Sequence, residues 1–255
     1  MTIPENAAFR TDVGTTGRTV RRGHVSYLVA WGVAAIIVIA GFAPTYFLRA
    51  FLPARPLTAL VHLHGALMTC WFVLFPVQWR LIAANRPDWH RRLGSIGAGV
   101  ATLIVVVGVT TAVEAQRRGH RPPGAPVGVT LYAGVVPLLV FGALVASAVL
   151  LRRQRGTHPR LMLLATLSIV QAAAGRLPLG RLPLPEILQS GGPFGLLSVD
   201  LLVIYACVAW DTWHHRRLHP AYACALTILL LVENLLLEPL AGSGAWRDLT
   251  HRLVP

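Results

Sequence analysis

The sequence predicts an all-α fold, a polytopic membrane bundle of about seven transmembrane helices with its N-terminus inside. Three observations predict it. The 255 residues are 55% hydrophobic and only 13% charged, against about 25% charged in a soluble domain. Apolar runs, each near the ~20 residues that a spanning helix needs, recur between residues 25 and 241. The 23 basic residues are all arginine and gather at the ends of those runs, as the positive-inside rule requires.

The elements follow in chain order. Residues 1–23 are polar and read as a flexible cytoplasmic tail. The run 25–48 follows Arg18, Arg21 and Arg22, but it is long for a signal peptide and no small-residue cleavage site follows it. It therefore reads as a retained helix. Helices are predicted next over 57–81, 93–115, 127–151, 159–175, 194–213 and 220–241, the one over 159–175 being the shortest. Together residues 24–241 make one transmembrane domain. The stretch 176–193 contains Pro178, Pro183 and Pro185, which prevent a regular spanning helix; it is expected along the outer interface or folded back on the bundle. Residues 242–255 read as a short interfacial tail anchored by Trp246.

Arginine counting sets the orientation. With the N-terminus inside, the inner segments hold four arginines in residues 10–22, four in 80–92, four in 152–160 and two at 216–217, 14 of the 23. The net charge of +13 is thereby explained by membrane topology and not by nucleic acid. The expected partners are the lipid bilayer and a membrane-soluble small molecule. Cys70, Cys207 and Cys224 lie in apolar runs without CxxC spacing, so they are expected to be packing residues. Trp71, Trp79, Trp89, Trp210 and Trp213 read mostly as interfacial anchors, and Gly94, Gly97 and Gly99 as sites of tight helix packing. No Gly-rich phosphate loop, Ser-His-Asp arrangement or CxxCH haem attachment is present.

The most informative segment is 62–94, HLHGALMTCWFVLFPVQWRLIAANRPDWHRRLG. His64 and His90 are 26 residues apart, about 39 Å along a helix at 1.5 Å per residue. They therefore belong to opposite ends of the bundle. A weak internal repeat accompanies this split. His90-Arg91-Arg92-Leu93 and His158-Pro159-Arg160-Leu161 share His-x-Arg-Leu, and ~26 residues before each stand His64 and Tyr132. Two related hairpins, 57–115 and 127–175, would form a four-helix core.

Two polar layers result. The inner layer contains His24, His90, His158, His214, His215 and His219, all at helix ends, and the repeat places His90 and His158 at one depth. Two histidines facing each other across a bundle can hold a haem iron. The outer layer contains His62, His64, Gln171, Arg176, Asp200, Glu233, Asn234 and Glu238. Ionisable groups inside a membrane are costly and mark function. His64, Asp200 and Glu233 are the candidate catalytic acid and base groups, and His62, His64, Asp200 and Glu238 the candidate ligands of a divalent metal. His62 and His64 stand ~200° apart on a helix, so one of them, expected to be His64, faces inward.

His64-Gly65, Gln78 and His90-Arg91-x-Leu93-Gly94 resemble a family of bacterial multi-helix membrane proteins of unknown function. That resemblance covers about 35 residues strongly; it implies a multi-helix fold in the bacterial inner (cytoplasmic) membrane and little about chemistry. The four-helix core also looks loosely like the cytochrome b561 group, in which histidines on four helices hold two haems. That likeness implies His90 and His158 as one ligand pair, while Tyr132 stands where the other pair needs a histidine. The leading expectation is a b-type haem electron-transfer protein. The alternatives are a metal-dependent enzyme acting on a lipid or membrane-soluble substrate at the outer half, and a transporter or accessory protein with a proton-relay path.

Overall fold

A computed structural model describes residues 13–52, 56–120, 124–154, 156–179, 183, 185, 186 and 196–254, with the backbone alone over 13–25. Most of the proline-rich stretch 176–193 and most of the N-terminal tail lie outside these residues. Among the described residues the chain is all-helical. The helices are α1 (Val13–Phe42), α2 (Ala59–Ala83), α3 (Pro87–Arg117), α4 (Val127–Leu150), α5 (Thr157–Ser168), α6 (Gln171–Ala174), α7 (Val199–His215), α8 (Pro220–Leu230), α9 (Leu237–Ala241) and α10 (Gly244–Leu253). Short π-helices over Ala43–Phe47 and Leu231–Leu235 extend α1 and α8.

Four helices are long and apolar enough to cross a membrane: Ser26–Phe47, Ala59–Ala83, Pro87–Arg117 and Val127–Leu150. The later helices are shorter, and α8 with its π-helix forms one apolar piece, Pro220–Leu235.

Local chemistry sets the boundaries. Thr58 caps α2 by accepting from Val61 N, and Ser243 caps α10 through Trp246 N, each satisfying an amide that the first helical turn leaves unpaired. His219 caps α8: its Nδ1 accepts from Ala221 N at 3.1 Å, with Pro220 at the first helical position. Asn85 turns the chain between α2 and α3 with φ 53°, a left-handed conformation that asparagine tolerates well. Helix α3 starts at Pro87, six residues before the apolar run at 93, so His90, Arg91 and Arg92 are helical.

Helices α2, α3, α4 and α5 pack in sequence, each against the next. Helix α5 is the centre: Arg160, Leu161 and all residues from Leu163 to Ser168 are buried. Helix α1 packs on α5, α6 and α7, and α8 packs on α5. Trp71 is a core residue and not an interfacial anchor; it is 6% exposed, donates from Nε1 to Thr166 Oγ1 at 3.2 Å and meets Phe141 edge-on. Cys70 and Cys224 are exposed on helix surfaces, so packing is not their role.

Close approach is made at Gly65, beside His64 as expected, where a Cβ would stand 2.7 Å from the Tyr46 ring, and at two glycines further along the bundle. A Cβ at Gly108 would stand 2.7 Å from Leu138 Cδ1, and one at Gly142 2.9 Å from Val105 Cγ2. A Cβ at Gly97 or Gly99 would meet nothing within 4 Å.

Candidate functional site

The depth split of the 62–94 segment is seen directly. Antiparallel packing of α2 and α3 sets His64, early in α2, against Gly108, late in α3: a Cβ on Gly108 would be 3.1 Å from His64 Cε1. The opposite end brings Gln78 of α2 to His90 of α3.

At that end, the rings of His90 and His158 meet edge-on, with centroids 6.3 Å apart and planes at 87°. His158 Nδ1 lies 2.8 Å from the Ala148 carbonyl at the end of α4. That oxygen only accepts, so Nδ1 carries the proton and Nε2 presents its lone pair. Gln78 holds His90. With its amide oriented to satisfy its neighbours, the side-chain nitrogen donates to His90 Nδ1 at 2.6 Å and to His90 O at 3.2 Å. The amide oxygen accepts from Gly94 N at 2.9 Å. His90, Gly94 and Gly97 lie four and three residues apart and so share one face of α3. Gly97 is buried, yet no heavy atom comes within 4 Å of the place its Cβ would take.

Beside this pair is a buried ion pair that the sequence reading missed. Arg160 donates from Nε to Asp211 Oδ2 at 3.0 Å and from Nη2 to Oδ1 at 2.9 Å, a bidentate fork. Both side chains are under a tenth exposed. Arg160 also donates to Gly156 O at 2.7 Å and stands over the Tyr222 ring. His215 Nδ1 sits 2.9 Å from Asp211 O. The available signal was Asp211 itself, a lone acid near the inner end of a spanning run, where an arginine partner is expected. His219, in the connection between α7 and α8, is held below its ordinary pKa, first by burial and then by the Arg160 charge.

The outer layer is only partly assembled. Asp200 and Glu233 are 6% and 5% exposed, and their carboxyl groups are near enough to interact electrostatically. Glu233 sits in the π-helix Leu231–Leu235, and its Oε1 is buried with no hydrogen-bond partner. Tyr132 donates to the Val232 carbonyl at 2.8 Å and meets Trp246 edge-on, and the Trp246 Nε1 donates to Gly128 O. His64 Nδ1 is also buried without a partner. The structure does not bring His62, His64, Asp200 and Glu238 together as metal ligands. His62 is exposed and lies against the Tyr46 ring, as the ~200° between it and His64 requires, and Glu238 is exposed in α9. Among the described residues no three His, Cys, Asp or Glu side chains converge on a point that could hold a metal ion. Gln171 begins α6, Arg176 lies over the Phe42 ring, and Asn234 donates to Leu229 O at 3.2 Å.

The site defines a class no narrower than an all-helical membrane protein with a facing histidine pair at one end and a buried carboxyl pair toward the other. No protein-family model, curated protein or solved structure matches this chain.

Proposed function

We propose that this protein is a membrane-embedded one-electron carrier in which His90 and His158 hold the iron of a b-type haem. The observation that carries the reading is the separation of the two rings, 6.3 Å between centroids. His90 and His158 would hold one iron between them with ring centres about 6 Å apart, given metal–nitrogen bonds of about 2.0 Å. Each Nδ1 is engaged elsewhere, so a shared ligand would be held through the two Nε2 atoms, that of His158 as it stands and that of His90 once its proton has moved. The His158 Nδ1–H···O=C bond is the outer contact that orients a ligating histidine. The open place beside Gly97, where an added Cβ would meet nothing within 4 Å, supplies a surface without a side chain against which a planar macrocycle would lie. Haem, when bound there, supplies a one-electron couple. In this reading α5 with α6, α7, and α8 with its π-helix complete a seven-span bundle, N-terminus inside, in the bacterial inner membrane. Haem analysis of the purified protein tests it: one haem b per chain, lost in His90→Ala and in His158→Ala, is expected. Wild-type protein without haem contradicts it.

A second reading rests on a different observation, the unpartnered Oε1 of buried Glu233 beside Asp200. A proton path through the outer half uses these two carboxyl groups. Proton flux in proteoliposomes is expected to fall at least tenfold in Glu233→Gln; unchanged flux removes the path.

A further inference from the structure

We infer that Gln78 is the positioning residue for His90: its amide decides which nitrogen of the His90 ring carries the proton, and so whether that ring can bind iron. This inference deepens the haem reading and rests on it for its redox consequences.

The argument starts from donors and acceptors. A ring nitrogen that receives a hydrogen bond must present a lone pair. The Gln78 amide nitrogen donates to His90 Nδ1 at 2.6 Å, so the His90 proton sits on Nε2. His158 is the reverse, since its Nδ1 faces the Ala148 carbonyl at 2.8 Å and its Nε2 is bare. The two rings therefore differ: one offers Nε2–H, the other an Nε2 lone pair. Iron takes a lone pair from each. His158 is ready as it stands, and His90 is not.

For His90 to ligate, Nε2 releases its proton to water and Nδ1 takes one from water, leaving the ring neutral and the proton balance at zero. Nδ1–H then needs an acceptor. Turning the Gln78 amide by half a rotation about its last bond puts Oε1 there. The same turn withdraws the oxygen from Gly94 N, 2.9 Å away, and sets the amide nitrogen against that N–H. Two donors then face each other, which opposes the turn. Gln78 thus holds His90 in the non-ligating tautomer; in the turned orientation its Oε1 would accept from His90 Nδ1–H, the arrangement in which His90 would hold iron through Nε2. An acceptor at that nitrogen raises ligand basicity and tunes the metal.

Two variants separate positioning from mere packing. A carboxylate in Gln78→Glu only accepts, so it presets Nδ1–H and makes the imidazole more basic. Leucine in Gln78→Leu accepts nothing. Midpoint potentials of the purified holoprotein are expected to move in opposite directions from wild type. Gln78→Glu is expected lower by about 59 mV, the one-electron equivalent of a tenfold preference for ferric iron, and Gln78→Leu higher, with haem retention reduced about tenfold. Equal potentials in the three proteins, or shifts of one sign, overturn the inference. Nitrogen-15 NMR of the haem-free protein gives a readout that needs no cofactor. Wild type is expected to show Nε2–H at His90 and Nδ1–H at His158, and Gln78→Glu to move the His90 proton to Nδ1. The same tautomer at His90 in both proteins overturns the assignment. Wild type that never takes up haem ends the redox reading, and the NMR comparison then decides the role of Gln78 alone.

Discussion

At the scale of single residues, the end of the bundle that carries His90 and His158 depends on Arg160 and Asp211. Their bidentate pair is almost wholly removed from solvent. Breaking such a pair leaves an uncompensated buried charge, which costs about 3–5 kcal/mol, whereas replacing both partners by apolar residues is often nearly neutral. Asp211→Ala is therefore expected to lower the unfolding midpoint in detergent strongly, and Arg160→Met with Asp211→Leu to restore most of the loss. A single variant as stable as wild type would show that the pair is not load-sharing. His219 gives a pH signature. Its folded-state pKa lies below the unfolded value, and its Nδ1 caps α8 only while unprotonated. The unfolded chain thus binds the proton first as pH falls through about 6.5, and stability declines. His219→Asn keeps a capping oxygen and cannot titrate, so its midpoint is expected to fall less between pH 7 and pH 5 than that of wild type. Equal slopes would remove His219 as the cause. The His90–His158 pairing was legible in the sequence because both open a helix with the same His-x-Arg-Leu pattern. The Arg160–Asp211 pair was not, because burial of an arginine depends on which helix becomes central, and hydropathy does not report that.

At the scale of elements, α3 carries two kinds of glycine with opposite roles. Gly108 is a contact point where an added methyl meets Leu138 at 2.7 Å and His64 at 3.1 Å. Gly108→Ala is expected to cost about 1–3 kcal/mol by overpacking. Gly97→Ala meets nothing and is expected to stabilise the helix by about 0.5–1 kcal/mol, while the larger Gly97→Leu is expected to reduce haem retention. Thermal unfolding and haem content, measured on all three, check these signs. Full haem retention in Gly97→Leu would take the macrocycle off this face. Glycines 94, 97 and 99 looked like packing residues in sequence because small residues at helix spacing are read that way. Only the position of the neighbouring helices distinguishes a contact from an open face. The start of α3 was misplaced by six residues for a related reason. Its first turns are amphipathic, with Arg91 and Arg92 exposed and His90 turned inward, and a hydropathy boundary falls where the arginines end.

At the scale of the whole molecule, the class of protein was plain from composition. Four helices are long and apolar enough to cross a membrane. Helices α5 and α8 are shorter than their apolar runs because a turn at Ile169–Val170 and a π-helix at Leu231–Leu235 interrupt them. Such interruptions leave no mark on hydropathy, since the residues that form them are as apolar as their neighbours. They do mark where backbone polarity is exposed inside the bundle, as at Val232, whose carbonyl is taken by Tyr132. The outer layer foreseen as one cluster divides into a coupled carboxyl pair and a separate His64, because His62 turns outward and Glu238 lies on a short peripheral helix. The inner layer is where the long-range geometry closes, with α2, α3, α4 and α5 each contributing one member: Gln78, His90, Ala148 and His158. The most direct measurement is the reduced-minus-oxidised absorption spectrum of protein purified from haem-sufficient cells, taken on wild type, His90→Ala, His158→Ala and His64→Ala. A sharp α-band and Soret shift in wild type and His64→Ala, both absent without His90 or His158, is the result predicted. A flat wild-type spectrum, or a haem signal that survives loss of His158, would contradict it.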